Sequence, residues 1–181
     1  MEPIQSLQHL LFTDRYRHLW SRTVPVKRNE YLVRTGEKCP WLFYVETGSV
    51  RVMHETGGEE ASIRFGYGGS LVSVLPSFLG GVPAGYAIQA LKASRLKAMH
   101  RNDLLAAVDG DEILSAAWRS GLEQLILEQL EREIDLLTPL PADRYRRVRE
   151  RSPRLFQEIP DKYIASYLRM TPETLSRLKK S

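Results

Sequence analysis

The chain has 181 residues, of which 43% are hydrophobic and 27% charged, with a net charge of +4. That length supports one sizeable core and a smaller second unit, and the lone cysteine, Cys39, excludes an internal disulfide framework. No signal-type stretch opens the chain and no apolar run approaches the roughly 20 residues that span a bilayer, so the expectation is a cytoplasmic protein with no membrane contact.

Residues 1–22 place Ile4, Leu7, Leu10, Leu11, Leu19 and Trp20 at helix-like intervals, which predicts one or two short capping helices. From Val24 to about Met99 the texture changes to short β-branched and aromatic runs such as LFYVETGSVRVMHE. Glycine turns punctuate these runs at Gly36, Gly48, Gly57, Gly58 and from Gly66 to Gly69. Many short strands at close spacing predict a β-sandwich or barrel.

Asn102 to Val108 reads as a short helix, and beyond Gly110 a long one follows. Its apolar residues form two stripes: Leu127, Leu130, Ile134 and Leu137, and Trp118, Leu122, Leu125 and Ile126. One neighbour does not cover so broad a face. The expected arrangement sets one stripe on the barrel and the other on the same helix of a second chain, as a two-fold homodimer; the alternative is a long helix lying on its own core. Thr138-Pro139-Leu140-Pro141 ends this helix and forms a hinge. A further helical segment over 142–159 is interrupted at Ser152-Pro153.

The tail, PDKYIASYLRMTPETLSRLKKS, has Ile164, Leu168, Met170, Leu175 and Leu178 at the spacing of a helix-turn-helix, and small Ala165 lets two axes approach. Thr171 is a good N-cap, Pro172 suits the first helical position, and Glu173 falls where the helix dipole favours an anion. The turn position that usually holds glycine is Arg169, at a cost of roughly 1–2 kcal/mol in left-handed geometry. The second helix offers Glu173, Thr174, Ser176, Arg177, Lys179 and Lys180. An arginine can fork onto guanine and a glutamate can accept from cytosine. Residues 138–181 hold 11 Lys+Arg against 5 Asp+Glu, whereas residues 1–137 hold 15 against 17. The basic charge thus sits in the tail, as a phosphate-contacting unit requires. The plain alternative is a packed helix pair with a solvated basic face.

Other chemistry finds little support. His9, His18, His54 and His100 are scattered with no His-x-His pair, so no metal site is expected. Cys39-Pro40 is better read as buried filler than as a haem contact, and no cysteine cluster exists for an iron-sulfur centre. Gly66 to Gly69 is followed by no Gly-Lys-Ser/Thr and is not a phosphate loop. No enzyme activity and no cofactor are expected.

In order, Gly36-Glu37, Trp41-Leu42-Phe43-Tyr44-Val45, Gly48-Ser49-Val50-Arg51-Val52, the long helix, the proline hinge and TPETLSRLKK resemble the CRP/FNR family of bacterial transcription regulators. The likeness covers essentially the whole chain, and IPDKYIASYLRMTPETLSRLKK is similar to the ending of the short Bacteroidetes-type members. The resemblance implies an α+β fold. A jelly-roll-like, cyclic-nucleotide-binding-like barrel with N-terminal helices would fill 1–110, a dimerisation helix 111–138, and a reduced winged-helix or helix-turn-helix DNA-binding domain 139–181. It further implies a sequence-specific transcription regulator acting on an inverted-repeat operator in double-stranded DNA, with RNA polymerase an open further partner. Glu173 and Arg177 fall on the family's base readers and Thr174 on a phosphate contact. Thr171, Ser176, Lys179 and Lys180 would position the helix. Pro172 replaces the first reader arginine, and the strand pair before the helix-turn-helix is missing. The rival reading is an effector-sensing protein with a vestigial DNA arm, acting through protein contacts.

In cyclic-nucleotide-binding members a Glu holds the ribose hydroxyl and an Arg-Ser pair grips the cyclic phosphate. Here those positions fall on Val74, Ala84 and Gly85, so a response to cyclic AMP is not expected, although retained cyclic-nucleotide binding is a second rival. The segment keeps its length, which leaves two readings open: an apolar or aromatic small-molecule effector with Leu71, Val74, Phe78, Tyr86 and Ile88 as walls, or a filled core with no effector.

Overall fold

A computed structural model describes the backbone of residues 3–180 and the side chains of residues 7–180. Ile4's place in the N-terminal stripe and the nature of the end at Ser181 lie outside the described side chains. Helix α1 (Pro3–Leu11) is followed by a single 3-10 turn over Arg17–Leu19. Trp20 then opens β1 rather than a second helix, because it pairs with Met99 across the sheet.

The expected barrel is present as two antiparallel four-stranded sheets, ordered β1-β8-β3-β6 and β2-β7-β4-β5. The strands are β1 (Trp20–Val26), β2 (Tyr31–Val33), β3 (Trp41–Thr47), β4 (Ser49–Thr56), β5 (Glu59–Tyr67), β6 (Leu71–Val72), β7 (Ala87–Ala90) and β8 (Ser94–His100). Helix α2 (Leu75–Gly80) lies between β6 and β7. Inward-facing Val45, Val50, Ile88, Ala90 and Leu96 are fully buried between the sheets, each larger side chain stabilising by roughly 1.5–3 kcal/mol. Two glycines are required by close approach. A Cβ on Gly48, whose φ is +87°, would meet Ser94 and the Ala93 carbonyl, and a Cβ on Gly66 would meet Val72. Gly66 is therefore a residue of β5, and the turn expected there begins only after Tyr67.

Strand β4 departs from simple alternation, since Ser49 through Met53 are all buried. A half-exposed strand would leave Arg51 in water. Its second face is covered by the C-terminal helices, and the guanidinium of Arg51 bonds Gln89 and Glu60 and lies 4.6 Å from the ring of Tyr163.

Helix α3 (Arg101–Gly110) leads into α4 (Glu112–Leu137), capped by Asp111, whose carboxylate accepts from the amides of Ile113 at 2.9 Å and Leu114 at 3.2 Å. Satisfying two orphan amides at once sets the start of the long helix. The linker Thr138–Leu140 follows, then α5 (Pro141–Arg151), α6 (Leu155–Glu158), α7 (Asp161–Tyr167) and α8 (Pro172–Lys180). Among the described residues no strand follows β8, and no helix is long and apolar enough to cross a membrane.

Candidate nucleic-acid interface and effector cavity

Ile164, Ala165, Leu168 and Leu175 are fully buried between α7 and α8, with Met170 and Leu178 packed beside them. The chain reverses at Arg169, which does adopt left-handed geometry with φ of +53°. Thr171 Oγ1 accepts from the Thr174 amide at 3.2 Å, as an N-cap does. The Glu173 carboxyl is held below the usual carboxylate range, first by its own backbone amide and then by the Thr171 hydroxyl.

Thr171, Glu173, Ser176, Arg177, Lys179 and Lys180 are exposed, and Thr174 is half-buried. Glu173, Ser176, Arg177 and Lys180 line one shallow concave surface together with Pro172. Lys179 is placed differently: its Nζ bonds both carboxylate oxygens of Asp161, at 2.8 and 2.9 Å. So exposed a pair is worth at most about 1 kcal/mol, and a phosphate would compete with it.

Four charged residues that sequence patterning does not single out tie the C-terminal helices to one another and to the rest of the chain. Arg132 on α4 stacks 3.5 Å from the Tyr167 ring centroid and donates to the Tyr167 carbonyl. Asp135, fully buried, accepts from Arg147 Nε at 3.1 Å and from Arg151. Arg144 and Arg51 are buried as well. Buried charges persist only when paired or well bonded, but in sequence all four look like surface charge. Helix α7 also rests on β5, where the Ser62 amide donates to Ser166 Oγ at 3.1 Å and Phe65 lies 5.5 Å from Tyr167.

A second feature is a cavity of about 470 Å³ between the barrel and α4. Of the expected walls, Leu71 and Tyr86 line it. Val74, Phe78 and Ile88 do not. Each is fully buried, Val74 and Ile88 in the barrel core and Phe78 in the core under α1, α3 and α4. The barrel core consumes those three, and α4 supplies the missing wall through Trp118, Leu122, Leu125 and Ile126. The second apolar stripe of α4 is thus a cavity wall, a role that helical periodicity alone does not separate from packing.

Residues 23–111 match the model of the cyclic nucleotide-binding domain family. The barrel belongs to that family. No curated protein matches the chain significantly. Among solved structures, the Thermus thermophilus catabolite activator protein is 22% identical with a TM-score of 0.60, covering 97% of this chain and 85% of that one. A CooA mutant from Carboxydothermus hydrogenoformans is 16% identical at a TM-score of 0.72, covering 96% and 82%. FixK2 from Bradyrhizobium japonicum is 18% identical at 0.69, covering 88% and 82%. These neighbours are CRP/FNR-type transcription regulators, and at such identities the likeness establishes the fold.

The residues of this cyclic nucleotide-binding domain do not fit a cyclic nucleotide. Val74 is fully buried and Ala84 is 2% exposed. Ala84 is bound through its backbone to the Gly36–Glu37 turn at 2.8 Å on each side. Gly85 has no side chain to offer, and its carbonyl lies 3.1 Å from His54 Nδ1. None of Val74, Ala84 and Gly85 has a polar or charged side chain with which to pair a cyclic phosphate, and an unpaired buried anion is costly.

Proposed function

We propose that the chain is a homodimeric, sequence-specific DNA-binding transcription regulator in which α7 and α8 form the helix-turn-helix. The observation that carries this reading is α8 itself: a capped helix seated on an apolar core, presenting Glu173, Ser176, Arg177 and Lys180 together to solvent. Arg177 and Glu173 read base edges, while Thr171, Thr174, Ser176, Lys179 and Lys180 position the helix on phosphates. The neighbours' fold supports it. So does the first stripe of α4, where Leu127, Leu130, Ile134 and Leu137 are 57%, 51%, 46% and 75% exposed. A stripe that apolar is suited to a second copy of the same helix.

Two reader helices entering successive major grooves require an inverted repeat with half-sites about 34 Å apart. Selection of bound fragments from random duplexes by the purified chain tests this, and the enriched sequence should show that symmetry. Absence of any salt-dependent binding would favour the rival, an effector-binding protein with a vestigial arm. The open cavity favours effector control over a filled core, and calorimetry with cyclic AMP and cyclic GMP should show no binding.

A further inference from the structure

The cavity between barrel and α4 carries a charge pattern that narrows its ligand. Its walls are aliphatic or aromatic nearly throughout, and Arg64 of β5 is the one charged side chain among the described lining residues. No carboxylate is among those described residues. Two of its neutral polar side chains are already engaged: Ser73 donates to the Trp41 carbonyl at 2.9 Å, and Gln129 Oε1 accepts from Arg64 Nη2 at 3.2 Å. Ribose hydroxyls and a polar base would find few partners there, whereas an apolar body would displace water from apolar walls at a gain.

Arg64 is loosely held where it stands. Its Nη1 is 3.6 Å from Glu128, beyond hydrogen-bond distance, and both side chains are partly exposed, at 34% and 42%. A guanidinium has five N–H donors in a planar fork, and a carboxylate meets that fork with two parallel bonds at about 2.8 Å. Such a partner would outcompete the loose Glu128 contact. Burial also keeps the Tyr86 phenol raised in pKa and so protonated, adding a hydroxyl on the wall near Arg64 rather than a competing anion.

Resting on the reading of this cavity as the effector site, we infer that it takes a lipophilic monocarboxylate, its aromatic or aliphatic body against Trp118, Leu122 and Leu125 and its carboxylate on Arg64. Calorimetry on the full chain tests this with 1-naphthaleneacetate and decanoate beside their neutral counterparts, 2-(1-naphthyl)ethanol and 1-decanol. Each acid should bind at least tenfold tighter than its alcohol. Arg64→Gln should bring the acid to within twofold of the alcohol and leave the alcohol unchanged. Equal binding of acid and alcohol by the unaltered chain would overturn the carboxylate assignment while keeping the cavity as a ligand site. No binding of any of the four would overturn the proposal and the effector reading together, whereas tighter binding of cyclic AMP would overturn the lipophilic-carboxylate assignment while keeping the cavity as an effector site. Duplex binding by the unliganded chain is measured separately, so none of these failures bears on the DNA-binding reading.

Discussion

Arg144 closes the turn that follows Leu168: its Nε donates to the Leu168 carbonyl at 2.8 Å and its Nη2 to the Arg169 carbonyl at 3.1 Å. From the other edge of the same guanidinium, Nη1 bonds the carbonyls of Thr138 and Pro139 at 2.7 and 3.0 Å. One buried side chain therefore ties the proline linker to the turn between α7 and α8. Arg144→Met keeps the apolar stem but strands these carbonyls. It should destabilise the C-terminal helices by roughly 2–4 kcal/mol, given about 1–3 kcal/mol for each buried acceptor left unpaired. In urea unfolding, the C-terminal helices should melt ahead of the barrel, and duplex affinity should fall alike for all sequences.

Arg169 pays for that turn with a φ of +53°. Glycine adopts this geometry freely but gains entropy in the unfolded chain, which offsets part of the relief. Arg169→Gly should stabilise the chain by about 0.5–1 kcal/mol, read as a higher urea midpoint with an unchanged slope. Arg169→Val should move the midpoint the other way, because a β-branched side chain tolerates the left-handed region least.

Apolar spacing and turn chemistry made much of this legible. The strand-rich region, the long helix with its break before Pro139, and the α7–α8 pair follow from periodicity, glycine and proline, and the cap at Thr171 follows from its hydroxyl. Burial of charge was not legible. Arg51, Arg132, Asp135 and Arg144 resemble solvated surface until the C-terminal helices fold over β4 and α4. Nor could spacing tell a wall from a core: Val74, Phe78 and Ile88 have the same character as Leu71 and Tyr86, yet the former three fill core space while the latter two border the cavity. Trp20 shows the same limit, since helix-like spacing gave way to pairing with Met99.

The first stripe of α4 yields a prediction about assembly. Leu130 and Ile134 sit at its centre, 51% and 46% exposed, so a carboxylate at either position could reach water within one chain. Leu130→Glu combined with Ile134→Glu should leave thermal unfolding of the barrel unchanged. Sedimentation should turn from dimer to monomer. Operator affinity should drop by two orders of magnitude or more, because a single reader helix loses the second half-site. A variant that still sediments as a dimer would place the interface elsewhere.

Acid stability should depend on Tyr16. Its hydroxyl donates to the Asp111 carboxylate, and that hydrogen bond is the first cause of Asp111's lowered pKa, followed among the lowering causes by the amides of Leu114 and Ile113 and by Arg15. A carboxyl depressed on folding stabilises above its unfolded pKa, and the stabilisation is lost as pH falls through the folded value. Tyr16→Phe removes part of the depression, so it should be less stable than the parent at neutral pH. The gap in melting temperature between the two should narrow as pH falls from about 5 to about 2, below the unfolded carboxyl range.

Discrimination between reading and holding separates the residues of α8. Arg177, on the concave surface with Glu173 and Lys180, is assigned to a base edge. Arg177→Ala should cost roughly 1–3 kcal/mol on the selected operator and relax the preference at one base pair. Lys180→Ala should weaken every sequence alike and reduce the salt slope by about one. Lys179 differs because Asp161 already holds it through both carboxylate oxygens. Lys179→Ala should therefore flatten the salt slope less than Lys180→Ala, whereas Asp161→Asn, which frees the ammonium, should steepen it and tighten binding to all duplexes. Titrations of these variants across salt concentration, on operator and on scrambled duplex, check all four. If Arg177→Ala lost affinity equally on both duplexes, its assignment to a base edge would fail and Arg177 would join the phosphate contacts.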